Sequence, residues 1–225
     1  MTMRLSPERT FALRLALGAF VLIAAAWVFG AIAEDVVNKD APLSTLDLHV
    51  AAWLHAHATT GWTSVMAVVT YLGAPIVVIA IAAVAMLVLA SLRARYQLLL
   101  IVLAVPGGAL LNVIIKQLIH RHRPVFVDPI QTLTTYSFPS GHAMGSTVLY
   151  GVLAAIIVRH VRDWRVRMLT IVGAALLVGL ICFSRIYLGV HYLSDVVAGF
   201  LEGIVWLGAC LAAVDALRRR TARDH

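Results

Sequence analysis

The sequence predicts an all-α integral-membrane protein: a six-helix bundle with a short interfacial helix between spans 1 and 2. Three observations predict it. Of 225 residues, 61% are hydrophobic and only 13% charged, with a mean hydropathy of +0.92. No water-soluble domain needs that much apolar surface. Six apolar runs divide the chain, roughly Phe11–Ala33, Val65–Ser91, Leu98–Ile115, Ala143–Val158, Met168–Phe183 and Tyr192–Ala216. The basic residues fall in short clusters between those runs, where they orient a membrane protein. The chain is read as one domain over residues 1–225.

The first run ends in Ala31-Ile32-Ala33, which has the small-residue pattern of a signal-peptidase site. Its apolar stretch exceeds a signal h-region and more spans follow, so an uncleaved first span is expected. Over Leu43–His57 the apolar residues Leu46, Val50, Trp53 and Leu54 recur at helical spacing, and Asp47, His49, His55 and His57 mostly take the other positions. This is the pattern of an amphipathic helix lying in the interface. The second run is long and contains Gly73-Ala74-Pro75, which predicts a break between a short helix and the span proper. The fourth and fifth runs are short and must borrow flanking residues to reach the ~20 that a spanning helix needs.

Charge sets the expected topology. Thirteen of the 18 Lys and Arg residues lie on one side of a six-span chain: Arg4, Arg9 and Arg14; Arg93 and Arg95; Arg159, Arg162, Arg165 and Arg167; Arg218, Arg219, Arg220 and Arg223. The positive-inside rule makes that side, with both termini, cytoplasmic. The net charge of +7 is therefore a matter of membrane orientation, and no nucleic-acid partner is expected. Lys39, Lys116, Arg121, Arg123 and Arg185 fall on the outer side against this bias and call for a local reason. Cys182 and Cys210 lie inside apolar runs and read as packing residues, with no disulfide and no metal.

Three outer stretches carry candidate chemistry. The third span ends in Lys116-Gln-Leu-Ile-His-Arg-His-Arg123-Pro124. Lys116 and Arg123, two helical turns apart, can converge on one anion, with Pro124 stopping the helix. Phe138-Pro139-Ser140-Gly141-His142 precedes the fourth span. Ser140 is a candidate N-cap, Gly141 allows close backbone approach, and the free N–H groups of a helix start bind anions. The third stretch, Ser184 to Asp195, holds Arg185, His191 and Asp195. A helix from Tyr192 would let the Asp195 carboxylate accept from one nitrogen of His191, leaving the other as a lone pair. Three cations, a helix N-terminus and two histidines in one pocket suit a phosphate ester.

The patterns Lys116-x6-Arg123-Pro124, Pro139-Ser140-Gly141-His142 and Ser184-Arg185-x5-His191-x3-Asp195 resemble the three signatures of the type-2 phosphatidic acid phosphatase superfamily, in order and without a substitution at a defining position. The resemblance implies a metal-independent phosphatase without a cofactor, working through a phosphohistidine. It implies His191 as nucleophile, Asp195 as the residue orienting it, and His142 as general acid. It implies phosphate binding by Lys116, Arg123, Ser140, Gly141 and Arg185, in a helical bundle whose site lies at the outer membrane boundary.

His120 and His122 flank Arg121 without a carboxylate or cysteine at ligand spacing, so interfacial polarity is expected of them rather than metal binding. Asn112, one turn before Lys116, is a candidate to line the pocket. Glu202, seven residues after Asp195, is an intramembrane acid with either a functional or a buried structural role. His49, His55, His57 and His160 read as surface or interface residues. The expected function is a membrane lipid phosphatase of the inner (cytoplasmic) membrane with an outward-facing site. Undecaprenyl diphosphate is the lead substrate by family frequency; phosphatidylglycerol phosphate and phosphatidate are the others. A lipid phosphotransferase and a non-catalytic lipid-binding or transport protein are the rival readings. Oligomeric state is not legible.

Overall fold

The structure is a computed structural model that describes residues 7–39 and 41–222. It consists of helices α1 (Pro7–Asn38), α2 (Ala41–Ala56), α3 (Thr60–Tyr71), α4 (Pro75–Ser91), α5 (Arg95–Ile119), α6 (Gly141–His160), α7 (Trp164–Tyr187) and α8 (Leu193–Thr221), with no strand among the described residues. Six segments are long and apolar enough to cross a membrane, with mean hydropathies from 1.6 to 2.8; α3 and α4 together form one of them. The chain is a multi-pass membrane protein. Arg4 and Arg223, and the side chains of Arg9 and Arg14, lie outside the described residues.

Most of the expected boundaries reappear for local reasons. The second run breaks at Gly73-Ala74, and Pro75 opens α4 at its first turn, where a missing N–H costs nothing. The fourth and fifth runs gain flanking residues and become helices of 20 and 24 residues. α1 continues unbroken through Ala31–Ala33. At the end of α5 the expectation fails: the helix stops at Ile119, with His120 in the left-handed conformation (φ 53°), four residues before Pro124. Arg123 is therefore outside the helix that carries Lys116, and the two are brought together by the loop rather than by helical spacing.

α6 is the central helix and packs against α4, α5, α7 and α8, while α1 lies along α8. A core of Val78, Ala82, Leu100, Ile101, Ala104, Met144, Val148, Leu149, Val152, Cys210 and Val214 joins α4, α5, α6 and α8. Cys210 thus packs as expected. Gly107 and Gly108 make room for the Trp206 ring, whose N–H donates to Ala104 O at 2.9 Å. At one end of the bundle Arg159 of α6 pairs with Asp215 of α8 at 2.9 Å. The opposite end gathers the end of α5, the start of α6, the end of α7 and the start of α8. All three sequence motifs sit there.

α2 and α3 cover this second end. Met66 of α3 packs on Tyr187, Leu188 and Val190, and the Tyr187 hydroxyl accepts from the Thr59 N–H at 3.0 Å. α2 departs from its expected faces. Trp53 and Leu46 are exposed, at 61% and 49%, whereas Asp47 is buried at 1%. His49 and His57 are exposed as expected, but His55 is half-buried and stacks on Phe126 at 4.1 Å.

Candidate active site

The site begins with how each helix end is made. α7 closes at Leu188, and Gly189 takes φ +70° to turn the chain towards α8. A side chain there would be strained and would also meet the Phe126 ring at 2.9 Å. The turn sets His191 just before α8, whose N-cap is Tyr192. Asp195, in the first turn, accepts from the Tyr192 N–H at 2.9 Å, a carboxylate closing a helix start. The loop before α6 is tied to this same turn. Ser140 N–H donates to Asp195 O at 2.9 Å, and Gly199 lies against the Ser140 backbone so closely that a Cβ would collide with its carbonyl oxygen.

His191 is 2% exposed. Its Nδ1 faces Asp195 Oδ2 at 3.5 Å, an ion-pair distance longer than a hydrogen bond. Its Nε2 lies 3.2 Å from Arg123 Nη1. A guanidinium only donates, so Nε2 carries the lone pair and Nδ1 the proton. Burial is the dominant influence on the ring and, against the opposing charge of Asp195, brings its pKa down to about 4. The imidazole is thus neutral at physiological pH.

Arg185 is 1% exposed. Nη1 donates to Thr70 Oγ1 of α3 at 2.7 Å, while Nε and Nη2 have no hydrogen-bond partner. Ser140 stands at the expected N-cap of α6, but its hydroxyl makes no cap bond and is likewise buried without a partner. Unsatisfied buried donors are rare and call for an explanation. Together with the first N–H groups of α6 they form a set of donors suited to an anion.

Lys116 and Arg123 are engaged differently from the expectation. Lys116 Nζ donates to Tyr136 O and Pro139 O, each at 2.9 Å. Arg123 donates through Nε to Thr135 O at 2.6 Å, and through Nη1 to Val190 O at 2.5 Å. Its Nη2 reaches Thr135 Oγ1 at 2.9 Å and Tyr136 O at 3.1 Å. Both cations therefore fold the segment after α5 over the site while presenting charge to it. His142 stands in the first turn of α6, where Arg185, His191, Arg123 and Lys116 are all near enough to bear on its ring electrostatically.

Below the Ser140 loop, Asn112 Nδ2 donates to Glu202 Oε2 at 2.8 Å, and a Cβ on Gly141 would come within 3.2 Å of Asn112 Oδ1. Asn112 thus supports the backbone of the loop, and Glu202 is a buried, hydrogen-bonded acid.

A PAP2 superfamily profile matches residues 95–219, more than half of the chain. The chain belongs to the PAP2 superfamily. It is 31% identical over 190 residues to phosphatidylglycerophosphatase B of Bacillus subtilis, covering 83% of this chain and 86% of the relative. It is 36% identical over 107 residues to an undecaprenyl-diphosphatase of Sulfolobus acidocaldarius, covering 45% and 46%. The crystal structure of a transmembrane PAP2-type phosphatidylglycerolphosphate phosphatase from Bacillus subtilis superposes with a TM-score of 0.81 at 25% identity, over 88% of this chain and 97% of that one. The protein is a phosphatase of the PAP2 superfamily.

Every residue singled out from the PAP2 signatures lies at the same end of the bundle. Four neighbours escaped sequence reasoning. Arg121 and Asp47 form ion pairs around Asp195, Thr70 binds Arg185, and Gly199 packs on Ser140. Arg121 stood out as an outer-side cation against the charge bias, which was the one signal available for it. The helical spacing over Leu43–His57 puts Asp47 on the polar face of an interfacial helix, and Thr70 and Gly199 carry no local signal.

Proposed function

We propose that this PAP2 protein is a lipid phosphatase that hydrolyses a phosphomonoester or diphosphate of a membrane lipid, through a phosphohistidine on His191. The observation that carries the reading is the pair of buried, unpartnered donors on Arg185 and Ser140, at the same helix ends as a buried histidine whose Nε2 lone pair is turned away from Asp195 and toward Arg123.

In this reading Lys116, Arg123, Ser140, Gly141 and Arg185 hold the phosphoryl oxygens. They spread positive charge over the equatorial oxygens as negative charge shifts in the transition state. Nε2 of His191 forms a bond to phosphorus as the bond to the leaving oxygen breaks, and His142, which takes up a proton once the phosphate anion lies beside it, gives that proton to the leaving oxygen. Asp195 faces Nδ1 and stabilises the positive charge left on the ring. His142, now neutral, takes a proton from water as the water oxygen attacks phosphorus. The P–N bond breaks, inorganic phosphate leaves, and both histidines return to their starting states. The fixed cations stand where other phosphatases place a divalent ion, so no metal is required.

An amphiphilic substrate is supported by an apolar groove of about 480 Å³ between α2, α7 and the start of α8, lined by His49, Val50, Trp53, Leu54, Phe183, Ile186 and Leu193. Leu193 is two residues from His191. A relative that matches 83% of this chain is named for phosphatidylglycerophosphate, which makes that lipid the first to test. Undecaprenyl diphosphate comes second, because the relative named for it matches less than half of the chain. By the distribution of arginine the site faces the periplasm or cell exterior and the termini face the cytoplasm.

The test is phosphate release by the purified protein from phosphatidylglycerol phosphate, undecaprenyl diphosphate and phosphatidate, with and without an alcohol acceptor, in excess chelator. Release of inorganic phosphate that chelator leaves unchanged is expected. Activity that is lost in chelator and returns with Mg²⁺ or Zn²⁺ contradicts the metal-free reading. Phosphate appearing only on the acceptor identifies a phosphotransferase.

A further inference from the structure

Arg121 holds two buried carboxylates that lie far apart in the chain. Its Nη1 donates to Asp195 Oδ1 at 2.6 Å and to Ser194 Oγ at 2.7 Å, and its Nη2 donates to Asp47 Oδ2 at 2.8 Å. Asp47 also accepts from the Ser194 N–H at 2.9 Å and from the Ser194 hydroxyl. The Tyr192 ring covers the guanidinium, 4.3 Å from its central carbon. Asp47 and Asp195 are 1% and 0% exposed. Burial lowers the proton affinity of Arg121, but the charge of Asp195 and the hydrogen bonds of both carboxylates outweigh it and leave the pKa above its ordinary value.

The charge count is uneven. Two carboxylates and one guanidinium leave one negative charge in excess, and a buried carboxylate needs a partner. The group facing this array is His191, through Nδ1. Among the described residues, the other charged or titratable groups that bear on His191 are Arg123 from the segment after α5, Arg185 from α7 and His142 from α6, with Tyr192 next to it in the chain and Lys116 of α5 beyond His142. Arg123 meets the opposite edge of the ring, at Nε2. The negative array thus stands behind the histidine and the cations stand on its reacting side.

We propose that Asp47 and Arg121 are positioning residues for phosphoryl transfer. Arg121 locks Asp195 against the Nδ1 edge of His191, and Asp47 supplies the second negative charge that is balanced when the ring becomes cationic. The interfacial helix α2 is in this way part of the catalytic apparatus. The inference rests on His191 being the nucleophile. When Nε2 bonds to phosphorus the ring gains one positive charge, and the array behind it goes from one excess negative charge to neutrality. The low-dielectric surroundings make that compensation effective.

The experiment uses the full chain in detergent with a short-chain phosphatidate, comparing wild type, Asp47→Asn, Arg121→Gln, the double variant, Ser194→Ala and His191→Ala. Acid-labile phosphoenzyme formation, kcat, KM and the pH profile of kcat/KM are measured, with thermal unfolding as the check on folding. Asp47→Asn is expected to slow phosphoenzyme formation by up to about 100-fold while KM stays within about threefold. The acidic limb of kcat/KM should move to lower pH in Asp47→Asn, because the imidazolium loses a negative neighbour. It should move to higher pH in Arg121→Gln, which leaves Asp195 facing the ring and Asp47 behind it with no guanidinium to offset their charge. The double variant should lose less than the product of the single losses. Ser194→Ala, which keeps the backbone bond, should lose less than Asp47→Asn and covers the case in which that variant does not fold. Wild-type phosphoenzyme formation in a folded Asp47→Asn or in Ser194→Ala, or limbs that move in the same direction, overturns the proposal. Phosphoenzyme in His191→Ala instead overturns the underlying assignment of the nucleophile.

Discussion

His191 combines two properties that usually conflict: it is buried, and it faces a carboxylate. The carboxylate favours a proton on the ring, while burial opposes it more strongly, so the ring stays neutral down to a pKa of about 4. The sign follows directly. Below that value the ring is protonated and the Nε2 lone pair, which the proposed mechanism needs, is lost. The acidic limb of kcat/KM is expected near pH 4, well below the ordinary histidine value of about 6.5. A limb between pH 6 and 7 would show that a different group titrates. The two histidines should also separate by leaving group. His191→Ala should abolish phosphoenzyme formation from every ester. His142→Ala should still form phosphoenzyme from p-nitrophenyl phosphate, whose departing phenolate hardly needs a proton, and lose it from an alkyl ester. Rapid-quench trapping of acid-labile phosphate checks this, and the reverse pattern would exchange the two roles.

Helix ends do most of the positioning. The start of α6 is anchored to the start of α8 by the Ser140 N–H to Asp195 O bond, and Gly199 permits the approach. A methyl group at position 199 would press on the Ser140 carbonyl, which belongs to the loop backbone and has no rotamer to change. Gly199→Ala is therefore expected to cost about 1–3 kcal/mol of stability. It should also lower kcat by shifting the Ser140 hydroxyl and the free N–H groups of α6. Thermal unfolding and steady-state kinetics check both effects, and wild-type kcat in Gly199→Ala would show that the loop tolerates the displacement. Arg185 is held in a comparable way between elements, its Nη1 fastened to Thr70 of α3 so that Nε and Nη2 are left for a ligand.

For the whole molecule, the alternation of six spans separates function from orientation. The arginine clusters around residues 93–95, 159–167 and 218–220 lie at one end, and the site with its loop over residues 120–140 lies at the other. In a Cys182→Ala, Cys210→Ala background, an impermeant thiol reagent added to intact cells should label Asp128→Cys and leave Arg165→Cys unlabelled. Labelling only at position 165 would place the site on the cytoplasmic side.

The spans were legible in the chain because length, apolar content and charge placement are local properties that the bilayer reads directly. The break before Pro75 was legible because proline acts on its own backbone. The three motifs declared their residues, since a histidine, a carboxylate and a helix-start serine at fixed spacing survive as a pattern. Tertiary structure decided how those residues are used. Asp47, on a helix whose pattern marked it as solvent-facing, is buried because Arg121 waits for it 74 positions away. Lys116 and Arg123 meet because His120 turns the chain in the left-handed conformation, an end that Pro124 did not mark. The backbone N–H of Ser140 is taken by α8, and its hydroxyl, expected to cap α6, is buried without a partner. Each of these depends on groups distant in sequence arriving at one end of the bundle, where a buried charge or donor accepts whatever partner packing brings to it.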